Sequence, residues 1–391
     1  SLYIYIINII LNNILLKFLY KIIKTIKNNN MEIKSETVTK YHSINGIINA
    51  LNILKNSGYE TKSNDEYIIF AAENGHIDVL EWYKKQHLDY CNDHAIKNAS
   101  KNGHINVLEW WKNNGYEINC DTTTIKNTSQ NGHVDVLEWW KNNVHYFNFK
   151  YDHQAIDFSS ANGHIDVLEW WKNNGYEFKY TKEAITSASN NGHVNVLEWW
   201  KNSGYEFKYD DLAIDLTYST VVLEWWKNSD YEFKYTTYAI DFSSANGHID
   251  VLEWWKNNGY EFKYTKGSIT SASGNGHINV LEWWKNSGYE FKYDESAIEN
   301  ASQKGHINVL EWWKNSGYEL KYNEQAIIMA SFYGHIDVLE WFHNSEYEFK
   351  YNDYARLHCE NNEHINILEW FKQKGYHFKR DTPCFNISGD Y

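Results

Sequence analysis

The chain has 391 residues, with 51 Asp and Glu against 37 Lys and Arg and a formal net charge of −14. Arg356 and Arg380 are its only arginines. An acidic chain so poor in the residue that forks onto phosphates and base edges is not expected to bind nucleic acid.

Residues 1–30 are nearly all Ile, Leu, Asn, Lys, Tyr and Phe, and Met31 follows. They read as an apolar leader that is disordered or foreign to the native protein. A membrane anchor through residues 1–20 and a capping helix on the first unit stay open as alternatives. Three Asn and Lys17 weaken the membrane reading, and no cleavage site marks a signal peptide.

From residue 31 to residue 378 the chain repeats, and 379–391 read as a tail. A leucine marks each unit, from Leu51 through Leu80 and Leu108 to Leu368, which gives twelve units with most steps of 29 residues. The first is degenerate, as a terminal unit in a stack is expected to be. All nineteen Trp fall in two adjacent slots after that leucine. The first slot is always Trp, from Trp82 to Trp370; the second also takes Tyr83, Phe342 and Phe371.

Residues 182–211 show how a unit is built. Lys182 to Asn190 predicts a short first helix, with Ile185, Ala188 and Ser189 on one face. Asn191-Gly192 stops it with a left-handed turn. Val194 to Asn202 predicts a second helix that buries Val196, Leu197 and Trp200, with Trp199 at the edge of the apolar arc. Gly204 ends it. Tyr205 to Tyr209 alternates apolar and charged residues, which predicts an extended connector with one face buried. Five residues before each turn histidine the side chain is always small, from Ala71 to Cys359, so neighbouring first helices are expected to approach closely.

Two units are irregular. Thr217 to Val222 replaces the Gly-His turn and the unit lacks three residues. Val144-His145 replaces a helix-ending glycine. Ala155–Ser189 and Ala239–Ser273 differ only at Glu183/Gly267 and Ala184/Ser268, the mark of a recent duplication.

The run Ala-Ser-x-Asn-Gly-His followed by Ile-Asp-Val-Leu-Glu-Trp-Trp resembles the ankyrin repeat, and with the aromatic connector it is similar to short ankyrin-like proteins of giant DNA viruses of the mimivirus kind. The resemblance implies an all-α fold, an α-solenoid of about twelve helix-turn-helix repeats, with the family's fingers shortened to the connector. It also implies a non-enzymatic scaffold that recognises a protein partner, a host factor among the candidates, through its concave face. The family's Thr-Pro-Leu-His opening is absent here. The implied setting is the host cytoplasm or the virion.

Little in the repeat suggests chemistry. The turn histidines, His76 to His364, do not converge, and no second ligand stands at metal spacing. No cofactor is expected, and neither a nucleophile motif nor a phosphate-cradling loop occurs. The glutamate before Trp-Trp recurs in every unit but the first and reads as a solvated face. The scattered cysteines read as structural thiols in a reducing compartment; Cys91 and Cys120, one unit apart at about 10 Å, lie too far apart for a disulfide. The second Trp slot reads as core. The first reads as core edge or as a partly exposed ladder that binds a partner.

Variation concentrates in the two residues after the first-helix isoleucine. These are Asp157-Phe158, Thr186-Ser187, Asp215-Leu216, Asp241-Phe242 and Thr270-Ser271, together with Glu299 before Asn300. They are the candidate partner-binding residues. The alternative function is a structural or self-assembling component of a viral particle or filament, so an oligomer is also open.

Overall fold

The structure, a computed structural model, describes residues 65–85, 93–143 and 149–378, together with Ile48. The leader, most of the first unit, Cys91, Val144-His145 and the C-terminal tail lie outside the described residues. Every element described is a helix, twenty-two in all, and no strand occurs among the described residues. Short first helices alternate with second helices, making a helical-repeat solenoid. The chain divides into two compact blocks between Ala184 and Ile185, and each is an array of such pairs.

The second helix Ile278–Asn286 shows why these nine residues are helical. The Val280 N–H of the first turn donates both to the His277 carbonyl at 3.1 Å and to the Asn279 side chain at 3.0 Å. Val280, Leu281 and Trp284 are buried on one face, and Lys285 stands in the last turn, where the helix dipole favours a cation. At the end, the Ser287 hydroxyl donates to the Trp284 carbonyl at 2.8 Å and accepts the Tyr289 N–H at 3.1 Å.

The turn between the two helices locks one unit to the next. Gly276 has φ +79, and a Cβ there would lie 3.1 Å from the His306 ring of the following unit. Gly75, Gly247 and Gly305 face His104, His277 and His335 in the same way, at 3.0 Å or less. The glycine therefore serves twice, giving the left-handed turn and the seat for the next histidine. His104 donates its Nε2–H to the Glu73 carbonyl at 2.9 Å, and His364 to Phe332 at 3.0 Å. The last turn has no glycine: Glu363 holds it at φ 58.

The second-slot indole reaches back to the preceding unit. Trp140, Trp284 and Trp313 donate Nε1–H to the hydroxyls of Ser100, Ser244 and Ser273 at 3.0–3.1 Å. Trp226 does so to Ser189 at 2.8 Å. Two exceptions confirm the pairing. Ala72 stands where the serine belongs, and the buried Trp111 Nε1 has no partner. Conversely, Phe342 fills a Trp slot, and the buried Ser302 hydroxyl has no partner. Ser302→Ala should therefore raise stability by about 1 kcal/mol, because it removes a buried hydroxyl that bonds to nothing. Ser273→Ala should lower it by a similar amount. Urea denaturation of the two variants checks the pair of opposite signs.

The unit with three residues missing is remade locally. Its first helix shrinks to Leu212–Asp215. Thr217 fills the buried small-residue position, and the Ser219 hydroxyl caps the second helix Thr220–Asn228 by accepting the Val222 N–H.

The connectors depart from the straight extended segment that their alternation predicts. In each of five, the lysine N–H bonds the carbonyl two residues earlier, as in Lys234 to Glu232 and Lys263 to Glu261 at 3.0 Å. A three-residue turn thus pivots on the residue between, Leu320 in one connector and phenylalanine in the other four. Phe207, Phe262 and Phe291 stack on Tyr231, Tyr289 and Tyr318 with centroids 4.0–4.2 Å apart.

Candidate binding face

The first-slot Trp side chains are spent inside the stack. None is exposed: Trp139, Trp170, Trp254 and Trp370 are buried, and the others described are buried or half-buried. Rings of this slot lie against the connectors, as Trp225 does on Phe207 and Trp254 on Tyr260. From Trp110 to Trp370, nine indole N–H groups donate to the glutamate one unit earlier. Trp170 bonds Glu138 at 2.9 Å, Trp225 bonds Glu198 at 3.0 Å, Trp254 bonds Glu224 at 2.7 Å and Trp370 bonds Glu340 at 2.6 Å. This accounts for Trp in those units: Phe has no donor, and the Tyr hydroxyl points elsewhere. The recurring glutamate, read from sequence as a solvated face, is the acceptor of an inter-unit hydrogen bond while remaining open to solvent.

These bonds set a pH dependence. The Trp N–H, donating to the ionised carboxylate, holds Glu138, Glu198, Glu282 and Glu340 below the ordinary glutamate range. Burial lowers His76, His104 and His306. Both sets have folded values below their unfolded ones, so their stabilisation is full above the unfolded pKa and is lost as pH falls through the folded value. Burial raises Asp157, Asp215 and Glu299, which act in the opposite sense: their contribution is full at low pH and is lost as pH rises. These seven lowered groups outnumber the three raised ones, so the net expectation is a fall in melting temperature. It should begin as pH drops below 6.5, the ordinary histidine value, and steepen below 4.5, that of glutamate. Thermal scans across this range check it.

Where the first residue of a variable pair is acidic, it lies in a clasp between units. The Asp157 carboxylate accepts the Thr181 N–H at 3.0 Å and its hydroxyl at 2.7 Å. Asp241 takes Thr265 in the same way at 3.0 and 2.6 Å. Asp215 takes Thr236 at 2.8 and 2.5 Å. Glu299 bonds Asn323. Lys97, at the equivalent place, pairs with Asp121 at 2.8 Å. Thr186 and Thr270 occupy this position with buried hydroxyls that make no hydrogen bond. Asp157 and Asp215 are 4% and 1% exposed. The partner stands 24 residues later, or 21 across the shortened unit, so the variation at these sites tracks the start of the next unit.

The second residue of each pair faces outward. Phe158, Ser187, Leu216, Phe242, Ser271 and Asn300 are all half-buried. With the residue one turn earlier they form two rows along the first helices. In the C-terminal block the rows read Leu212/Leu216, Tyr238/Phe242, Gly267/Ser271 and Ser296/Asn300.

Among the described residues no three His, Cys, Asp or Glu side chains gather as a metal site. No described helix is long and apolar enough to cross a membrane. Cys120 and Cys359 are buried and unbridged. Burial pushes the Cys359 thiol up to about 12.

No family model matches the chain, and no curated protein is similar to it in sequence. Among solved structures, the chain is similar to the pentatricopeptide repeat protein PPR10 from maize, at 11% identity and a TM-score of 0.33. The likeness covers 89% of this chain and 61% of that one, so the chain spans under two thirds of its length.

Proposed function

We propose that the chain is a non-enzymatic, ankyrin-like scaffold that recognises a protein partner along the face of its first helices. One observation carries this reading. The residues that repeat are used up inside the stack, in the Trp–Glu and Trp–Ser bonds and the Gly–His seats, whereas the half-buried second residues of the variable pairs bond to no neighbouring unit in so regular a way. A surface that differs unit by unit on an invariant frame is what a scaffold needs for specificity. The resemblance to ankyrin-like proteins of giant DNA viruses, and the unbridged buried thiols, favour a reducing compartment such as the host cytoplasm or the virion.

Affinity capture tests this reading with the whole chain beside a Phe158→Ala/Phe242→Ala variant. The scaffold reading expects a discrete set of proteins held by the chain and lost from the variant. Capture that is identical for the two removes the first-helix face as the binding surface.

A further inference from the structure

The turn before the shortened unit departs from the others. From Gly75 to Gly334, seven turn glycines lie against the histidine of the following unit, 2.7–3.1 Å from where a Cβ would stand. At Gly192 nothing lies within 4 Å. The other described glycines of these turns are half-buried, whereas Gly192 is exposed. The sequence of the next unit gives the reason. Each turn histidine stands four residues before its leucine, as His193 does before Leu197 and His277 before Leu281, and Ser219 holds that place before Leu223.

The seat keeps the geometry of the filled ones, with Gly192 at φ +84. Elsewhere the ring N–H donates to the carbonyl two residues before the glycine, His104 to Glu73 at 2.9 Å and His364 to Phe332 at 3.0 Å. The matching carbonyl here belongs to Asn190, whose side chain adds a buried Oδ1 with no hydrogen-bond partner. Two neighbours are apolar against the pattern. Val221, 65% exposed, stands where every other unit has Asp or Asn. Tyr218, 46% exposed, stands where the turn glycine belongs and stacks on His248 at 5.5 Å.

The geometry points to a binding site for the histidine side chain of a partner protein. Its ring rests on Gly192 as the missing turn histidine would, its N–H donates to Asn190, and apolar side chains beside it meet Tyr218 and Val221. The occupant follows from the filled seats, each of which holds an imidazole ring of this chain. A phenyl ring would fill the space and leave the acceptors of Asn190 without a donor. Burial lowers His104 and His306 in their seats, so the ring that binds is the neutral one. Covering Tyr218 and Val221 adds the apolar part of the contact. Gly192 lies beyond the end of its first helix, Glu183–Asn190, so the site does not depend on the first-helix rows.

The test uses the full chain with isotope-labelled Gly and Asn amides, followed by NMR at a pH where imidazole is neutral. Imidazole should move the Asn190, Asn191 and Gly192 signals saturably, with a millimolar Kd, and leave the other turn glycines in place. N-methylimidazole keeps the ring but lacks the N–H, and should bind about fivefold more weakly. Gly192→Ala puts a methyl group where the ring rests and should abolish the shifts of Asn190 and Asn191. Gly204→Ala, equally strained at φ +83 but past the far end of the second helix, should leave them unchanged. A blocked Leu-His-Leu peptide should bind about tenfold tighter than imidazole. Val221→Asp, which installs a residue that equivalent units hold, should remove that gain alone. No shift at Gly192, equal shifts at all turns, equal binding of N-methylimidazole, binding kept by Gly192→Ala, or a peptide no tighter than imidazole overturns the inference. Self-association abolished by Gly192→Ala also overturns it, assigning the seat to a second copy. The capture comparison with Phe158→Ala/Phe242→Ala is untouched by these outcomes and tests the first-helix face separately.

Discussion

Replacing Trp284 by alanine is expected to cost roughly 3–5 kcal/mol, the largest effect of any single substitution in the chain. Trp284 is 0% exposed and packs against its own unit and the one before. Its ring meets Phe262, Tyr264 and Tyr289 at centroid distances of 5.7, 4.6 and 6.4 Å, and its N–H is held by Ser244 at 3.0 Å. Truncation removes the transfer free energy of a buried indole, leaves a cavity and orphans the serine. Trp284→Phe should be far milder, about 1–2 kcal/mol, because the slot already accepts Phe342 and Phe371 and only the N–H and part of the ring are lost. Chemical denaturation gives the totals. Hydrogen exchange gives the place: in a stack held by neighbour contacts, protection should fall first in the unit of Trp284 and the two beside it. Uniform loss of protection over the C-terminal block would argue against neighbour-limited coupling.

The second large effect belongs to the turn glycines and is best seen as a difference. Gly305 and Gly192 both have positive φ, +73 and +84, so alanine strains the backbone at either by about 1–2 kcal/mol. A Cβ at Gly305 would also lie 2.7 Å from Nδ1 of His335, whereas at Gly192 nothing lies within 4 Å. Gly192 is open because the next unit is the irregular one, which has lost its histidine. Gly305→Ala should therefore cost roughly 2–4 kcal/mol and Gly192→Ala only the backbone strain. Equal losses, measured by thermal and urea unfolding, would mean that the His335 ring yields freely and that the interlock contributes nothing.

Much of the architecture was legible in the residues. Helical periodicity placed Val196, Leu197 and Trp200 in the core, and all three are 0% exposed. Asn-Gly marked the turn. What stayed hidden were bonds that run between units. A wheel drawn on one helix puts Glu224 on the polar side and Trp254 at the edge of the apolar arc, yet the two meet because adjacent second helices bring one beside the other. The clasp was hidden for the same reason. Asp241 looks like a variable surface residue until Thr265, 24 residues on, is placed against it. The signal was present in the sequence, since the acid at one position goes with Thr or Asn at the other, but it shows only when each unit is aligned with the start of its successor. The connector misled because alternation of apolar and charged residues cannot distinguish an extended segment from one pivoting on a single residue.

The proposed position of the binding face follows from this division. If the repeated side chains were merely copies inherited by duplication, Trp, Glu and Gly would be as free as Phe158 or Leu216 to contact a partner. Their mutual engagement is the reason for proposing the variable face as the surface that discriminates.

A double-mutant cycle between Trp254 and Glu224 measures that engagement directly. Stability is compared for the native chain, Trp254→Phe, Glu224→Ala and the pair. An indole N–H donating to a carboxylate across units predicts a coupling of about 0.5–1.5 kcal/mol, with the second substitution costing less once the first is made. Strict additivity would contradict the account: the strict recurrence of Trp and Glu would then record descent alone, and the repeated face would be available again as a surface for partners.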